Sequence, residues 1–295
     1  MDRSELTSRL LPEMTLGSAQ AKLNQPIPLP ANLSPAERAA ARFRISGTAV
    51  VTGGTGDLGS VACEALLEHG LHTLLVWDLQ GPTSMGKIET LRSKFPSARI
   101  LFFEVDITDD AQVTRVSQEA LERFGGIDIL LTFAGVVSCD HAKDMPAKEW
   151  RRTFDINTTG SFLCAKAAAN VMVKTGNGGS IVHVASISAH RVNFPQPQVA
   201  YNASKAAVLA MSKSLAAEWA VHGIRVNSIS PGYMDTILNE GDGLQAARNT
   251  WNERNPNGRM GSPEELCGAV ILLASSAGRY ITGADIIIDG GQTLF

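Results

Sequence analysis

A tyrosine and a lysine stand four residues apart in the segment AYNASKAAV, at Tyr201 and Lys205. On a helix, residues at this spacing share a face, so the phenol and the ammonium would lie side by side. A phenol with its ordinary pKa of about 10 carries protons poorly at neutral pH, but a neighbouring cation favours its ionised form. The pair therefore predicts a proton-transfer centre, although the same spacing also occurs in ordinary surface helices.

The segment TGGTGDLG, residues 52–59, could hold a diphosphate. Residues 54–59 match the dinucleotide-binding pattern G-x-G-x-x-G, and Thr52 with Gly53 offers a second register. The apolar residues 48–51 predict a strand before this segment, and residues 58–69 predict a helix after it. In that context, glycines let the backbone approach a diphosphate, which also meets the free N–H groups of the helix N-terminus.

Asp78 ends the apolar segment TLLVWD, 25 residues after Gly53. In dinucleotide-binding folds, an acidic residue at about this distance accepts hydrogen bonds from the adenosine ribose. The glycine segment and the residues directly after Asp78 contain no arginine or lysine to accommodate a 2'-phosphate. The sequence therefore favours NAD over NADP as cofactor.

Seven short apolar segments alternate with stretches of mostly helical pattern and would position these groups. They are TAVVTG, TLLVWD, RILFFEVD, IDILLTFAG, SIVHVAS, IRVNSISPG and ADIIIDGG. The alternation predicts an α/β fold, a single doubly wound Rossmann domain with a seven-stranded parallel sheet over residues 44–295. Residues 1–43 form a predicted extension, mostly irregular because of its prolines, with a short helix that begins after Ser34.

The composition excludes several classes of protein. The chain has 295 residues, 44% of them hydrophobic and 19% charged, and a net charge of −3, which gives no basic surface for nucleic acid. Its four cysteines are isolated along the chain and form no metal-binding pattern. The sequence has no apolar stretch of the length that crosses a membrane and no secretory signal, which predicts a cytoplasmic protein.

The motifs TGGTGDLG, AYNASK and NSISPGYMDT together resemble those of the short-chain dehydrogenase/reductase family, over nearly all of residues 45–295. The segment ISAHRVNFPQPQVAYNASK is most similar to the loop of fungal polyol dehydrogenases and carbonyl reductases. The resemblance places residues 52–59 in the family register T-G-x-x-x-G-x-G, with Asp57 where glycine is usual. Because a carboxylate facing a diphosphate would be repelled, Asp57 is expected to turn away and cap the helix.

The resemblance also implies which residues bind the dinucleotide. Thr132 departs from the family pattern N-N-A-G, so the strand-bracing role of the first asparagine stays unassigned. The implied cofactor-binding residues are Gly53, Thr55, Asp57, Leu58, Asp78, Leu79, Asp106, Ile107, Ala134, Gly135, Tyr201, Lys205, Pro231, Gly232, Met234 and Thr236.

The catalytic group implied by the resemblance is Asn157, Ser186, Tyr201 and Lys205. Ser186 lies 15 residues before Tyr201 and Ser188 lies 13 before it. Many family members use the shorter spacing, but the longer loop of the polyol dehydrogenases favours Ser186 as the donor to the substrate oxygen. Asn157 would hold a water that links the lysine to solvent, unless it is an ordinary turn residue. Residues 237–261 stand where the family carries its substrate lid.

The resulting hypothesis is an oxidoreductase that transfers a hydride between NAD(H) and a secondary alcohol or ketone, either a sugar alcohol or a hydroxylated natural product. The alternatives are an NADP(H)-dependent carbonyl reductase and a catalytically idle dinucleotide-binding regulator. A nucleotide-sugar epimerase would need a larger C-terminal domain than the roughly 60 residues that follow Pro231. The resemblance also predicts a homotetramer or a homodimer.

Overall fold

The computed structural model describes residues 11–18, 20, 21, 23, 25, 26, 28–81 and 83–295, without the side chains of 238 and 242. Its centre is a single parallel sheet, which confirms the predicted seven-stranded fold. The strands are β1 (Thr48–Thr52), β2 (Thr73–Asp78), β3 (Arg99–Glu104), β4 (Ile129–Thr132), β5 (Gly179–Val184), β6 (Ile224–Pro231) and β7 (Asp285–Ile288).

The strand order is β3-β2-β1-β4-β5-β6-β7. The chain runs outward from β1 to β3, then returns to the other side of β1 and runs outward again. This reversal leaves a crevice between the carboxyl ends of β1 and β4, which is where doubly wound sheets bind their ligands. The glycine segment begins at the end of β1 and therefore opens on this crevice.

Helices cover both faces of the sheet, which is why its inner strands are apolar on both faces. The α-helices of the described residues are α1 (Pro35–Phe43), α2 (Asp57–Glu68), α3 (Ser84–Lys94), α4 (Asp110–Phe124), α5 (Ala147–Phe154), α6 (Ser161–Thr175), α7 (Val199–Trp219), α8 (Gln245–Glu253) and α9 (Cys267–Ala274). A π-helical turn, Asp155–Gly160, joins α5 to α6.

Successive strand residues point into two separate cores. Val51 and Val76 belong to the core beneath α2, α3 and α9, whereas Val50 and Leu75 belong to the core beneath α4, α6 and α7. All four side chains are fully buried. The two cores hold the carboxyl ends of the strands in a fixed arrangement, and the site is built on those ends.

The segment before β1 contacts residues that shortly precede β7, the strand at one edge of the sheet. Ser34 is the N-cap of helix α1, and its side chain accepts a hydrogen bond from the Glu37 N–H. Pro35 is the first residue of the helix. Upstream, the Arg279 guanidinium donates hydrogen bonds to the carbonyls of Leu23 and Gln25. Residues 1–10 of the predicted extension lie outside the described residues.

In the described part of the chain, no helix combines the length and the apolarity that crossing a membrane requires.

Candidate active site

The structure brings the four predicted catalytic residues into one group, in which Asn157, Ser186 and Lys205 are buried and Tyr201 is half-buried. Ser186 follows β5, Tyr201 and Lys205 lie in the first two turns of α7, and Asn157 lies in the π-helical turn. Asn157 is 0%, Lys205 6% and Ser186 7% exposed. π-Helical turns often mark functional positions in helices, and this one carries the predicted asparagine.

Ser186 is the serine whose side chain lies close enough to the Tyr201 phenol to affect its pKa. The Ser186 Oγ donates to the Ser188 Oγ at 3.0 Å and accepts from the Ser188 N–H at 3.1 Å. Burial raises the pKa of Tyr201, and the interaction with Ser186 lowers it by a smaller amount. Ser186 is therefore the serine beside the proton-transfer group, while Ser188 holds Ser186 in place.

Lys205 lies beneath the phenol. Its Nζ is 5.8 Å from the centroid of the Tyr201 ring and donates a hydrogen bond to the Val184 carbonyl at 2.7 Å. Burial lowers the pKa of Lys205 to about 8. Burial raises the pKa of Tyr201 above its ordinary value in the protein alone, so the phenol is protonated at neutral pH.

Asn157 ties the loop after β4 to the helix that carries the catalytic pair. Its Oδ1 accepts from the Val136 N–H at 2.8 Å, and its Nδ2 donates to the Val136 carbonyl at 2.9 Å and to the Ser204 Oγ at 3.0 Å. A Cβ on Gly135 would lie 3.2 Å from the Asn157 Oδ1 and 3.6 Å from the Lys205 Nζ. Gly135 therefore leaves open the space above the lysine.

The glycine segment forms a cradle that fits a dinucleotide. Gly53 has φ +64°, and a Cβ there would lie 2.5 Å from the Ala134 N, so only glycine fits. A Cβ on Gly59 would collide with the Gly53 carbonyl. Gly56 is the N-cap of α2 and supplies no side-chain cap. This helix N-terminus and the open backbone beside it suit a diphosphate.

The expectation that Asp57 caps α2 is wrong. Gly56 occupies the N-cap, so Asp57 is the first helical residue and makes no capping hydrogen bond. Its Oδ1 lies 3.1 Å from the Lys87 Nζ, and its Oδ2 accepts from the Ile237 N–H at 3.1 Å. Both partners are distant in sequence, and the second lies at the start of the lid. Leu58 follows in the same turn of the helix.

Asp78 is held against the glycine segment. Its Oδ2 accepts from the Thr55 N–H at 3.0 Å and from the Thr55 Oγ1 at 2.6 Å, and its Oδ1 accepts from the Leu79 N–H at 2.8 Å. These bonds fix the carboxylate at the end of β2. Asp106, at the end of the next strand, accepts from the Thr108 N–H at 2.9 Å, and Ile107 beside it is buried.

The last predicted cofactor residues surround the end of β6. Pro231 is the final residue of that strand, and the Gly232 N–H donates to the Ile288 carbonyl at 2.9 Å. Met234 pairs with Gly261 in a short parallel bridge that closes the base of the lid. Met234 and Thr236 are both buried. The predicted cofactor residues thus lie along the carboxyl ends of the strands.

Comparison with known proteins identifies the family. A family model described as enoyl-(acyl carrier protein) reductase matches residues 56–293. A crystal structure of a short-chain type dehydrogenase/reductase from Mycobacterium marinum is 39% identical, with a TM-score of 0.78, and the match covers 85% of this chain and 97% of that one. The chain belongs to the short-chain dehydrogenase/reductase family. It is accordingly an NAD(P)-dependent oxidoreductase that acts on CH–OH groups.

Two curated relatives show the range of cofactors among similar members of the family. The probable NADP-dependent mannitol dehydrogenase of Yarrowia lipolytica is 39% identical over 85% of this chain and 89% of its own length. The NAD-dependent glycerol dehydrogenase of Listeria innocua is 36% identical over 83% of this chain and 93% of its own length. The family therefore establishes a nicotinamide dinucleotide as cofactor and leaves the choice between NAD and NADP open.

The residue that departs from the family pattern, Thr132, braces the sheet in another way. Its Oγ1 lies 3.0 Å from the Nδ1 of His183, which is its register partner on β5. Burial, and then the charge of Lys205, lower the pKa of His183 to about 4, so this imidazole is neutral at physiological pH. The sequence alone indicates no role for His183. The pairing of β4 with β5 is the signal that would have identified it.

One cluster of side chains near Tyr201 was not predicted from the sequence, and we call it the amide–aromatic cluster: Asn193, Gln196, Tyr233 and Trp251. Tyr233 stacks on Trp251 with ring centroids 4.2 Å apart. The Tyr233 hydroxyl accepts from the Asn193 Nδ2 at 3.0 Å and from the Gln196 Nε2 at 3.1 Å. The sequence signals are the position of Tyr233 directly after Pro231-Gly232 and the amide side chains in the loop before Tyr201.

The arrangement can carry out proton transfer at a carbinol oxygen. A bound nicotinamide supplies the hydride acceptor or donor. Tyr201 would exchange a proton with the substrate oxygen, and Ser186 would hydrogen-bond the same oxygen as its charge changes. Lys205 places a cation beneath the phenol, where it would favour the ionised form once the site is filled.

Proposed function

We propose that this protein is an NAD(H)-dependent dehydrogenase that interconverts a secondary alcohol of a small polyhydroxylated molecule, such as a sugar alcohol, with its ketone. The observation that carries the proposal is the Tyr201 phenol, which lies near Ser186 and has the Lys205 ammonium 5.8 Å from its ring centroid. The names of the two curated relatives, a mannitol dehydrogenase and a glycerol dehydrogenase, support a polyol substrate.

NAD is the proposed cofactor because of Asp78. The carboxylate is fixed by Thr55 at the end of β2, and a 2'-phosphate placed there would be repelled by its negative charge. Lys87, the cation that contacts the glycine segment, is paired with Asp57, 3.1 Å from its Oδ1. Both features favour an unphosphorylated ribose.

A polyol substrate suits the polar lining of the cleft. The amide–aromatic cluster supplies two amides and a phenol next to the catalytic residues. Buried polar groups of this kind cost free energy when they face an apolar ligand, whereas hydroxyl groups satisfy them. The lid, residues 237–261, would close over the substrate and exclude water.

The idle-regulator alternative is disfavoured by the buried catalytic group. Burying a lysine and a tyrosine without a role in chemistry would cost stability. The two hypotheses differ in what Tyr201→Phe does, because this variant keeps the ring but removes the proton carrier. In a dehydrogenase, Tyr201→Phe abolishes turnover and leaves dinucleotide binding intact. In an idle regulator, the same substitution leaves both dinucleotide binding and the regulatory role intact.

The testing experiment measures kcat/KM for a panel of sugar alcohols, ketoses and simple ketones, with NAD(H) and NADP(H) separately. We expect turnover with NAD(H) and loss of turnover in Tyr201→Phe. We also expect Asp78→Ser to raise the NADP-to-NAD ratio of kcat/KM by at least about tenfold, because it removes the repelling charge.

Asp144→Ser, on an exposed loop residue paired with Lys143, is the matched control and should leave that ratio unchanged. Faster turnover by the wild type with NADPH than with NADH would contradict the cofactor proposal. Absence of turnover across the panel with both cofactors would contradict the proposed activity.

We also propose a homotetramer and a cytoplasmic location, both of which rest on the resemblance to the family. Apolar and aromatic side chains are exposed on and after the last strand, where family members commonly associate. They are Ile287, Leu294 and Phe295. Exposed apolar side chains of this kind favour association with a second copy.

A further inference from the structure

His190 ends the short turn that begins at Ser186. Ser186 is the N-cap of the 3₁₀ turn Ile187–Ala189, and His190 follows that turn directly. The Ala189 N–H donates to the Ser186 carbonyl at 3.0 Å, and the His190 N–H donates to the Ile187 carbonyl at 2.9 Å. Because the turn is short and bonded within itself, Ser186 and His190 are held in one unit.

The His190 side chain ties this turn to the last two strands of the sheet. Its Nε2 lies 2.9 Å from the Asp285 Oδ2 and 3.1 Å from the Ser230 Oγ. Ser230 lies near the end of β6, and Asp285 is the first residue of β7. On the other side of the turn, the Ala185 N–H donates to the Ile229 carbonyl of β6 at 2.8 Å. The turn is thus attached to the sheet at both ends.

The carboxylate sets the direction of these hydrogen bonds. The Ser228 Oγ donates to the Asp285 Oδ1 at 2.6 Å, and the Ser230 Oγ lies 3.0 Å and 2.8 Å from the two carboxylate oxygens. A carboxylate only accepts, so the His190 Nε2 carries a hydrogen. Turning the imidazole over would place a carbon against the carboxylate and would lose the bond. His190 is therefore a donor whose orientation is set by its partner.

Asp285 is a mostly buried charge that depends on its donors. Its side chain is 11% exposed, and Ser228 and Ser230 are 1% and 0% exposed. Among the described residues, His190 is the only basic side chain within ion-pair distance of this carboxylate. Removing one donor from a buried charge is costly, because the charge is then incompletely satisfied. The bond to Asp285 is therefore a firm hold on the turn.

We propose that His190 is a positioning residue that, by binding Asp285, sets the place of the Ser186 hydroxyl beside the Tyr201 phenol. His190 acts through the turn and contacts neither the substrate nor the dinucleotide. The inference rests on the proposed function, since it assumes that Ser186 hydrogen-bonds the substrate oxygen. A displacement of about 1 Å in a catalytic group can slow a reaction roughly 100-fold. The effect of His190 is therefore on kcat rather than on dinucleotide binding.

The test combines variants of His190 and Ser186 on the best substrate of the panel. We expect His190→Leu to lower kcat about tenfold and to leave the dissociation constant for NADH unchanged. His190→Gln offers an amide N–H in place of the Nε2–H and should restore kcat to within about threefold of the wild type. In the Ser186→Ala protein, His190→Leu should lower kcat by less than about twofold, because the group that it positions is already gone. His72→Leu, at an exposed histidine directly before β2, is the matched control and should leave kcat unchanged.

His190→Leu leaves the Asp285 carboxylate without its basic partner. If this variant does not fold, His190→Leu/Asp285→Asn replaces it, since the charge is then removed together with the imidazole, and the same tenfold loss of kcat is expected. A wild-type kcat in the variant that folds, or an equal loss with and without the Ser186 hydroxyl, would overturn this inference and leave the proposed function standing. Absence of wild-type turnover across the panel with both cofactors would overturn the proposed function and this inference with it.

Discussion

At the scale of single residues, the two neighbouring serines have different contacts and should therefore have different effects. Ser186 lies beside the Tyr201 phenol, whereas Ser188 touches Ser186. We expect Ser186→Ala to lower kcat by roughly 100-fold or more, because a donor to the reacting oxygen is lost. Ser188→Ala should cost less than about tenfold, because it removes only one support of Ser186.

Steady-state kinetics on the best substrate of the panel measure both effects. The dissociation constant for NADH in each variant serves as the control and should change little, because neither serine is a predicted dinucleotide ligand. Equal losses of kcat in the two variants would show that the spacing of 15 residues does not identify the substrate donor.

The residues that the sequence predicted well are those whose partner is local. Tyr201 and Lys205 lie on one helix, so their spacing alone places them together. His183 and Tyr233 could not be assigned in this way, because Thr132 and Asn193, their partners, come from other elements. Contacts of this kind depend on strand register and loop packing, which the pattern of residue types does not specify.

At the scale of elements, the sheet was predictable and the lid attachment was not. The strands are apolar on both faces because helices cover both, so each appears as a continuous apolar segment in the sequence. The capping role expected of Asp57 failed because Gly56 takes the N-cap position. The partners that Asp57 has instead, Lys87 and the Ile237 N–H, come together only when three separate segments pack.

The bond from Asp57 to Ile237 joins the glycine segment to the first turn of the lid. We expect Asp57→Ala to speed amide hydrogen exchange across residues 234–244 roughly fivefold, because one hydrogen bond of about 1 kcal/mol is lost. Asp57→Asn is the control, since its amide oxygen still accepts from Ile237. It loses only the half-exposed pair with Lys87, which contributes little to stability.

Exchange measured by mass spectrometry on the protein without added dinucleotide separates the two variants. A peptide from β4 serves as the internal reference. If Asp57→Asn accelerates exchange in the lid as much as Asp57→Ala does, the charge rather than the hydrogen bond holds the lid.

At the scale of the whole molecule, the sequence does not indicate where the segment before the sheet packs. The Arg279 guanidinium, near the C-terminus, binds the carbonyls of Leu23 and Gln25, and the Ser276 Oγ donates to the Arg42 carbonyl at 2.9 Å. These contacts use backbone oxygens of the N-terminal segment. Backbone carbonyls are present at every residue, so no side-chain pattern could have predicted the attachment.

Folding of the whole chain also buries one amine, and this makes the global stability depend on pH. The pKa of Lys205 is about 8 in the folded protein and about 10.4 in an unfolded chain. Between these values the unfolded chain holds more protons than the folded one, so the contribution of Lys205 to the free energy of unfolding rises with pH. Below pH 8 the folded protein carries the cost of a buried charge, and that cost disappears as the pH increases.

Lys205→Met removes the titrating group and keeps a side chain of similar length. The free energy of unfolding of the wild type, relative to Lys205→Met, should increase by about 2 kcal/mol between pH 7.5 and 9.5. Urea denaturation of both proteins without dinucleotide, followed by tryptophan fluorescence, measures this difference. The window ends below pH 10 because burial raises the pKa of Tyr201, which then stays protonated in both proteins. A difference that is constant across the window would mean that Lys205 keeps an ordinary pKa in the folded chain, and burial would then not be the dominant influence on the catalytic pair.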